Sequence, residues 1–154
     1  MKKLVMALSV VGLLTGPAFI LSGPALAHEP GTYESAIVEQ RVKRFKQSGA
    51  DIQSVFKQHI PSKNFGAIEA AAMRIAIWAS QMPDAFPEGS TSVGARDTLW
   101  ENFPDFKAKA EANETAARNL KAAVGSQDMQ QIVAAAKKVG ATCKSCHEAY
   151  RLKH

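Results

Sequence analysis

The sequence predicts an all-α protein, an antiparallel, up-down-up-down bundle of four helices. Three observations carry this. Apolar residues recur in steps of three and four along four segments. Prolines and glycines fall mainly between those segments. Alanine is abundant while β-branched residues are sparse, so strand signals are weak. No internal repeat or low-complexity tract interrupts the pattern.

The first segment runs from about Tyr33 to His59, with Val38, Val42, Phe45, Gly49, Ile52 and Phe56 on one stripe and Arg41 beside it. Pro61 ends it, because proline cannot continue a helix. The second runs from about Asn64 to Met82 and places Phe65, Ile68, Ala72, Ile75, Ala79 and Met82 on one face. Pro83 stops it, and a loop rich in proline, glycine and small polar residues follows to about Gly94. The third spans about Ala95 to Val124, with a break expected at Pro104. Beyond the break, Phe106, Ala110, Asn113, Ala117, Leu120 and Val124 share a face. Gly125-Ser126 closes it. The fourth spans Gln127 to about Leu152, with Met129, Ile132, Val133, Ala136, Val139, Gly140, Cys143, His147 and Tyr150 on one face. Short connections favour antiparallel neighbours. The small interior side chains suggest room for a large cofactor.

The N-terminus reads differently. Met1-Lys2-Lys3 is positively charged, an apolar run follows from Leu4 to about Leu21, and Ala25-Leu26-Ala27 offers small residues at a cleavage site. This is the form of a secretory signal peptide, residues 1–27, cut after Ala27. Gly12, Gly16, Pro17 and Gly23-Pro24 interrupt the run, which argues against a membrane anchor. The mature chain would be residues 28–154, an exported periplasmic protein with no stable membrane insertion. Of the 19 basic residues, Lys2 and Lys3 leave with the signal, so 17 face 14 acidic ones. A net charge of about +3, scattered rather than massed, gives no footprint for nucleic acid. His28 and His154 read as frayed termini.

The chemistry lies in Cys143-Lys144-Ser145-Cys146-His147. Cys-x-x-Cys-His is the attachment signature of c-type haem. Residues three apart on a helix lie on adjacent turns, so both thiols reach two vinyl groups on one porphyrin edge. His147 follows directly and can ligate the iron axially. A thioredoxin-like dithiol would open a helix after a strand, and here no strand precedes Cys143. A zinc site needs a second ligand pair, which the sequence lacks. No nucleophile–base pair, paired carboxylates or phosphate loop points to an enzyme.

A CxxCH on the last of four helices, within Val139-Gly140-Ala141-Thr142-Cys143-Lys144-Ser145-Cys146-His147-Glu148-Ala149-Tyr150-Arg151, resembles the class II c-type cytochromes, above all cytochrome c′. The aromatic-Arg pair Tyr150-Arg151 fits that family, as do the Pro-rich loop and Trp100. The family's first helix commonly reads Arg-x-x-x-Met-Lys-x-x-Gly, with Met as sixth iron ligand in low-spin members. Here the frame is Arg41-Val42-Lys43-Arg44-Phe45-Lys46-Gln47-Ser48-Gly49, with Phe45 in place of Met. A phenyl ring cannot coordinate iron. The resemblance therefore implies five-coordinate, high-spin haem c with His147 on one side and Phe45 as the distal wall. It also implies Arg41 near a propionate, Arg151 on the proximal side, and a homodimer through the first two helices, for which Val55 and Trp78 are candidate exposed contacts.

Other sixth ligands are remote. His59 lies about 21 Å from Phe45 along the first helix, and Met129 about 27 Å from His147 along the fourth. Met73 and Met82 are harder to set aside. The resemblance points to binding of NO and CO. Simple electron transfer to an unidentified redox partner is the alternative, favoured if the iron were low-spin. A thiol–disulfide enzyme is the third reading, which a covalent haem stain would eliminate.

Overall fold

The computed structural model describes residues 32–92 and 94–152, with side chains from residue 36. The expected signal peptide, His28 and His154 lie outside the described residues. Four long helices form the bundle: α1 (Thr32–Ser54), α2 (Phe65–Gln81), α4 (Phe103–Gly125) and α5 (Met129–Tyr150). A single turn, α3 (Thr98–Glu101), precedes α4. No β-strand is present among the described residues.

The boundaries follow local chemistry. Asn64 caps α2 by accepting a hydrogen bond from the Ala67 amide at 3.1 Å. Asp128 caps α5 by accepting from the Gln130 and Gln131 amides. Pro104 sits in the first turn of α4, where a missing amide hydrogen costs nothing. The expected break at Pro104 is thus a helix start, with the interruption at Asn102 just before it.

The interior faces of α2 and α4 match the periodicity. Ile68, Ala72, Ile75 and Ala79 are buried on α2, and Phe106, Ala110, Asn113, Ala117, Leu120 and Val124 on α4. Buried alanines let α2 and α4 pack along their length, and α5 packs on α4 nearly as extensively. The small side chains bring these helices together rather than leaving a void. The open space is elsewhere: α1 leans on α2 and barely touches α5.

The inner face of α1 departs from the expected stripe. Arg41, Asp51 and Val55 are buried, whereas Val42 and Phe56 are exposed. The face is turned by about one residue, because two of its innermost members are charged and a hydrophobic pattern passes over them. Each has partners. Arg41 donates to the Ala85 carbonyl and to Ser90. Asp51 accepts a two-pronged hydrogen bond from Arg74 of α2, its shortest contact 2.7 Å. Beyond Ser54 the helix continues as a π-helical turn, Val55–His59, in which the Ile60 amide donates to the Val55 carbonyl at 2.9 Å. Val55 and Trp78, expected as exposed dimer contacts, are 0% and 5% exposed. Both belong to the core.

The core has two parts. An aliphatic cluster spans Val55, Ile68, Ile75, Leu120, Ile132 and Val139. An aromatic cluster gathers Trp78, Phe86, Phe106 and Tyr150 with Met82 and Leu99. Phe106 stacks edge-on with Phe86 at 4.9 Å and with Tyr150 at 5.7 Å between centroids. Tyr150 ends α5 by donating its hydroxyl to Asp105 Oδ2 at 2.6 Å. Burial and that carboxylate push its pKa up to about 12. The folded state therefore favours the neutral phenol more than the unfolded chain does, whose tyrosine titrates near 10. This contribution is complete below pH ~10 and is lost as pH climbs through about 12. Tyr150→Phe is expected to cost about 1–2 kcal/mol in urea unfolding at neutral pH. The variant should also lose less stability than the parent in alkali.

Candidate haem site

Because α1 and α5 diverge, a groove of about 720 Å³ opens between them. That volume lies in the range of small-molecule and cofactor clefts. Ile52 and Gln53 of α1, with Phe56 of the π-helical turn that continues it, form the α1 wall; Gly140, Cys143, Lys144, His147 and Glu148 of α5, with Arg151 and Leu152 just beyond it, form the other side. Three expected site residues, Cys143, His147 and Arg151, thus share one cleft. Gly140 lies one turn before Cys143, and a Cβ there would meet nothing within 4 Å. Gly49, on the opposing helix, is open in the same way.

The remaining three, Cys146, Phe45 and Arg41, do not line it. Cys143 and Ile52 pack on the aliphatic cluster. Cys146 and Phe45 pack on the aromatic one. Of these four, Ile52 and Cys143 face each other across the groove. Phe45 does not line the groove itself. Its half-buried ring meets Trp78 edge-on at 5.1 Å and Phe86 at 6.1 Å.

Arg41 is neither a surface arginine nor paired with a carboxylate among the described residues. It is 2% exposed, its guanidinium lies 4.2 Å over the Phe86 ring, and its acceptors are all neutral. Burial pulls its pKa down. Trp78 Nε1 is buried, and no described residue accepts its hydrogen bond. Arg41 lies against Phe86 of the aromatic cluster and Trp78 belongs to it, and neither lines the groove.

Electrostatics at the motif fit ligation rather than thiol catalysis. Burial, then the charge of Arg151, pushes the His147 pKa down. The imidazole is neutral at neutral pH, the form that binds a metal. Burial raises the Cys143 pKa, partly offset by a hydrogen bond from Asn113. The Cys146 thiol is pushed up to about 11, again by burial. A disulfide-exchange nucleophile needs the opposite shift.

The end of α5 is clasped. The Arg96 amide donates to the Tyr150 carbonyl at 2.9 Å, and the Leu152 amide to the Gly94 carbonyl at 3.1 Å. This two-bond bridge sets Arg151 at the groove's edge. No methionine lines the groove. Met82 is buried in the aromatic cluster and Met73 sits on α2.

Sequence reasoning missed the α1 wall. The rhythm places Ile52 and Phe56 on the interior stripe; Ile52 does pack on the aliphatic core, whereas Phe56 is exposed and Gln53 carries no apolar signal. It also passed over Asn113, whose signal was in view: a lone amide within an otherwise apolar face of α4.

A four-helix bundle with this cleft and these residues defines a helical c-type haem protein. A family model described as cytochrome C′ matches residues 31–151, and the chain belongs to the cytochrome c′ family. It is 38% identical over 124 residues to a cytochrome c-556 of Agrobacterium fabrum, covering 79% of this chain and 84% of that one. It is 34% identical to a cytochrome c′ of Pararhodospirillum photometricum, covering 75% and 96%. Among solved structures, cytochrome c′ from Thermochromatium tepidum superposes with a TM-score of 0.71 at 26% identity, over 78% of this chain and 97% of that one. A nitric oxide complex of a cytochrome c prime variant from Alcaligenes xylosoxidans superposes with a TM-score of 0.70 at 25% identity, over 79% and 97%. As a family member the chain carries covalently bound haem c. No helix among the described residues is long and apolar enough to cross a membrane.

Proposed function

We propose that the protein is an exported, periplasmic haem c protein with five-coordinate high-spin iron that binds NO and CO. Residues 1–27 would be the cleaved signal peptide and residues 28–154 the mature domain, a reading supported by a family match that starts at residue 31. Cys143 and Cys146 hold the porphyrin through thioethers and His147 ligates the iron. The haem supplies an iron site able to bind a diatomic gas and to change oxidation state.

The chain does the rest. Burial, then the charge of Arg151, disfavours the protonated form of His147. Arg41 offers a buried positive charge toward a propionate. Phe45, held edge-on by Trp78 and Phe86, forms the distal wall and excludes water and larger ligands. The single observation that carries five-coordination is the α1 wall of Ile52, Gln53 and Phe56, with Phe45 two turns upstream. It presents neither imidazole nor thioether to the groove. A relative solved as a nitric oxide complex supports gas binding. We assign no catalytic step. Electron exchange with an unidentified redox partner is compatible with the same iron, and the family resemblance supports a homodimer.

The test is an absorption spectrum of the holoprotein, ferric and reduced, with and without CO. Broad high-spin bands that shift with CO are the expected result. A sharp low-spin band indifferent to CO would transfer the assignment to a six-coordinate electron carrier and make Met73 and Met82 the residues to replace.

A further inference from the structure

Asn113 is the one polar side chain on the buried face of α4, and it is 7% exposed. Its Nδ2 has two acceptors: Thr142 Oγ1 at 2.8 Å and Cys143 Sγ at 3.4 Å. The amide's orientation follows from the chemistry of Thr142. That hydroxyl has one hydrogen and donates it to the Val139 carbonyl at 2.8 Å. Toward Asn113 it can only accept, so it must face the amino end of the amide and not the oxygen. One amino hydrogen goes to Thr142 and the second is left for the sulfur. An amide buried in an apolar face is costly unless satisfied. Here its two donors are used on one residue pair, at the groove's edge.

We propose that Asn113 is a positioning residue for the Cys143 sulfur, with Thr142 locking its orientation, and that its hydrogen bond tunes the group attached there. The inference rests on the reading of Cys143 as a haem thioether. A thioether sulfur keeps its lone pairs, so the acceptor survives attachment. An N–H donor at that sulfur draws electron density from the ring substituent and favours the electron-richer ferrous state. Hydrogen bonding around the cofactor is among the levers by which a protein sets a haem's potential.

The experiment is a spectroelectrochemical titration of the holoprotein and its Asn113→Leu variant, with a pyridine haemochrome spectrum of each. The haemochrome of the parent decides the haem reading on its own: without a two-thioether spectrum, that reading falls first. With two thioethers in both proteins, Asn113→Leu is expected to shift the reduction equilibrium about two- to fivefold toward the ferric form. At 59 mV per tenfold this is roughly 20–40 mV lower. The sign is diagnostic. Leucine also makes the surroundings more apolar, which disfavours the more positive ferric haem and raises the potential. An unchanged or raised potential therefore overturns the proposal. Should Asn113→Leu fail to give folded holoprotein, Thr142→Val carries the test. It releases the amide's orientation, so a lower potential supports the proposal and an unchanged or higher one overturns it.

Discussion

A chain carrying both Cys143→Ser and Cys146→Ser is expected to show no haem after denaturing electrophoresis, where the parent chain stains. A thiol adds across a vinyl double bond: a C–S bond forms at one carbon, the hydrogen goes to the other, and nothing leaves. A serine hydroxyl is far less nucleophilic than a thiol or thiolate and does not replace it in this addition. Any porphyrin in the groove would then be held only by non-covalent contacts and the iron–imidazole bond, all lost on unfolding. The single variants should behave differently. Each keeps one thioether and still stains, with a red-shifted reduced band because one vinyl group stays conjugated. Haem retained covalently by the double variant would show attachment elsewhere and remove the basis for assigning His147 as the ligand.

Phe45→Ala is expected to accelerate CO binding to the reduced protein by roughly 5- to 150-fold in stopped-flow or flash-photolysis measurements. The estimate comes from the ring's partners. Phe45 meets Trp78 at 5.1 Å and Phe86 at 6.1 Å, both steeply inclined. Such aromatic pairs are each worth about 0.5–1.5 kcal/mol beyond their buried area. Swinging the ring away from a distal site gives up two of them, or about 1–3 kcal/mol in the barrier to entry. Alanine removes the ring and with it the barrier. Trp78 stays in place through its other contacts, so the effect should appear in the association rate more than in the fold. An unchanged association rate would mean that Phe45 is core packing alone and that entry is controlled by Ile52 or Phe56 on the groove wall.

The parts of the molecule legible in its sequence were those governed by apolar periodicity. On α2 and α4 nearly every expected interior residue is interior, because Ile68, Ile75, Phe106 and Leu120 are buried for the ordinary reason that they are apolar. The motif on α5 was legible because three side-chain chemistries at fixed spacing have few other uses. On α1 the reading slipped by a residue. Arg41 and Asp51 face inward there, and nothing local in the sequence announces their partners, Ser90 and Arg74, which lie 49 and 23 residues away. The burial of Trp78 and Val55 was hidden for the same reason: it depends on which helix covers them. Asn113 could have been suspected from its apolar company, but not its bond to Cys143, since the two are 30 residues apart.

The π-helical turn at Val55–His59 bears on how this chain can differ in length from its relatives. A turn closed by a bond from Ile60 to Val55 holds one residue more than an α-helical turn. Removing one residue there lets the helix close regularly while the chain on either side keeps its direction. A deletion of a single residue at this point is absorbed where it occurs. The same change between Arg41 and Ile52 would rotate everything beyond it by about 100°. Alignments of the family should therefore allow a one-residue gap just before Pro61, and refuse one in the preceding three turns.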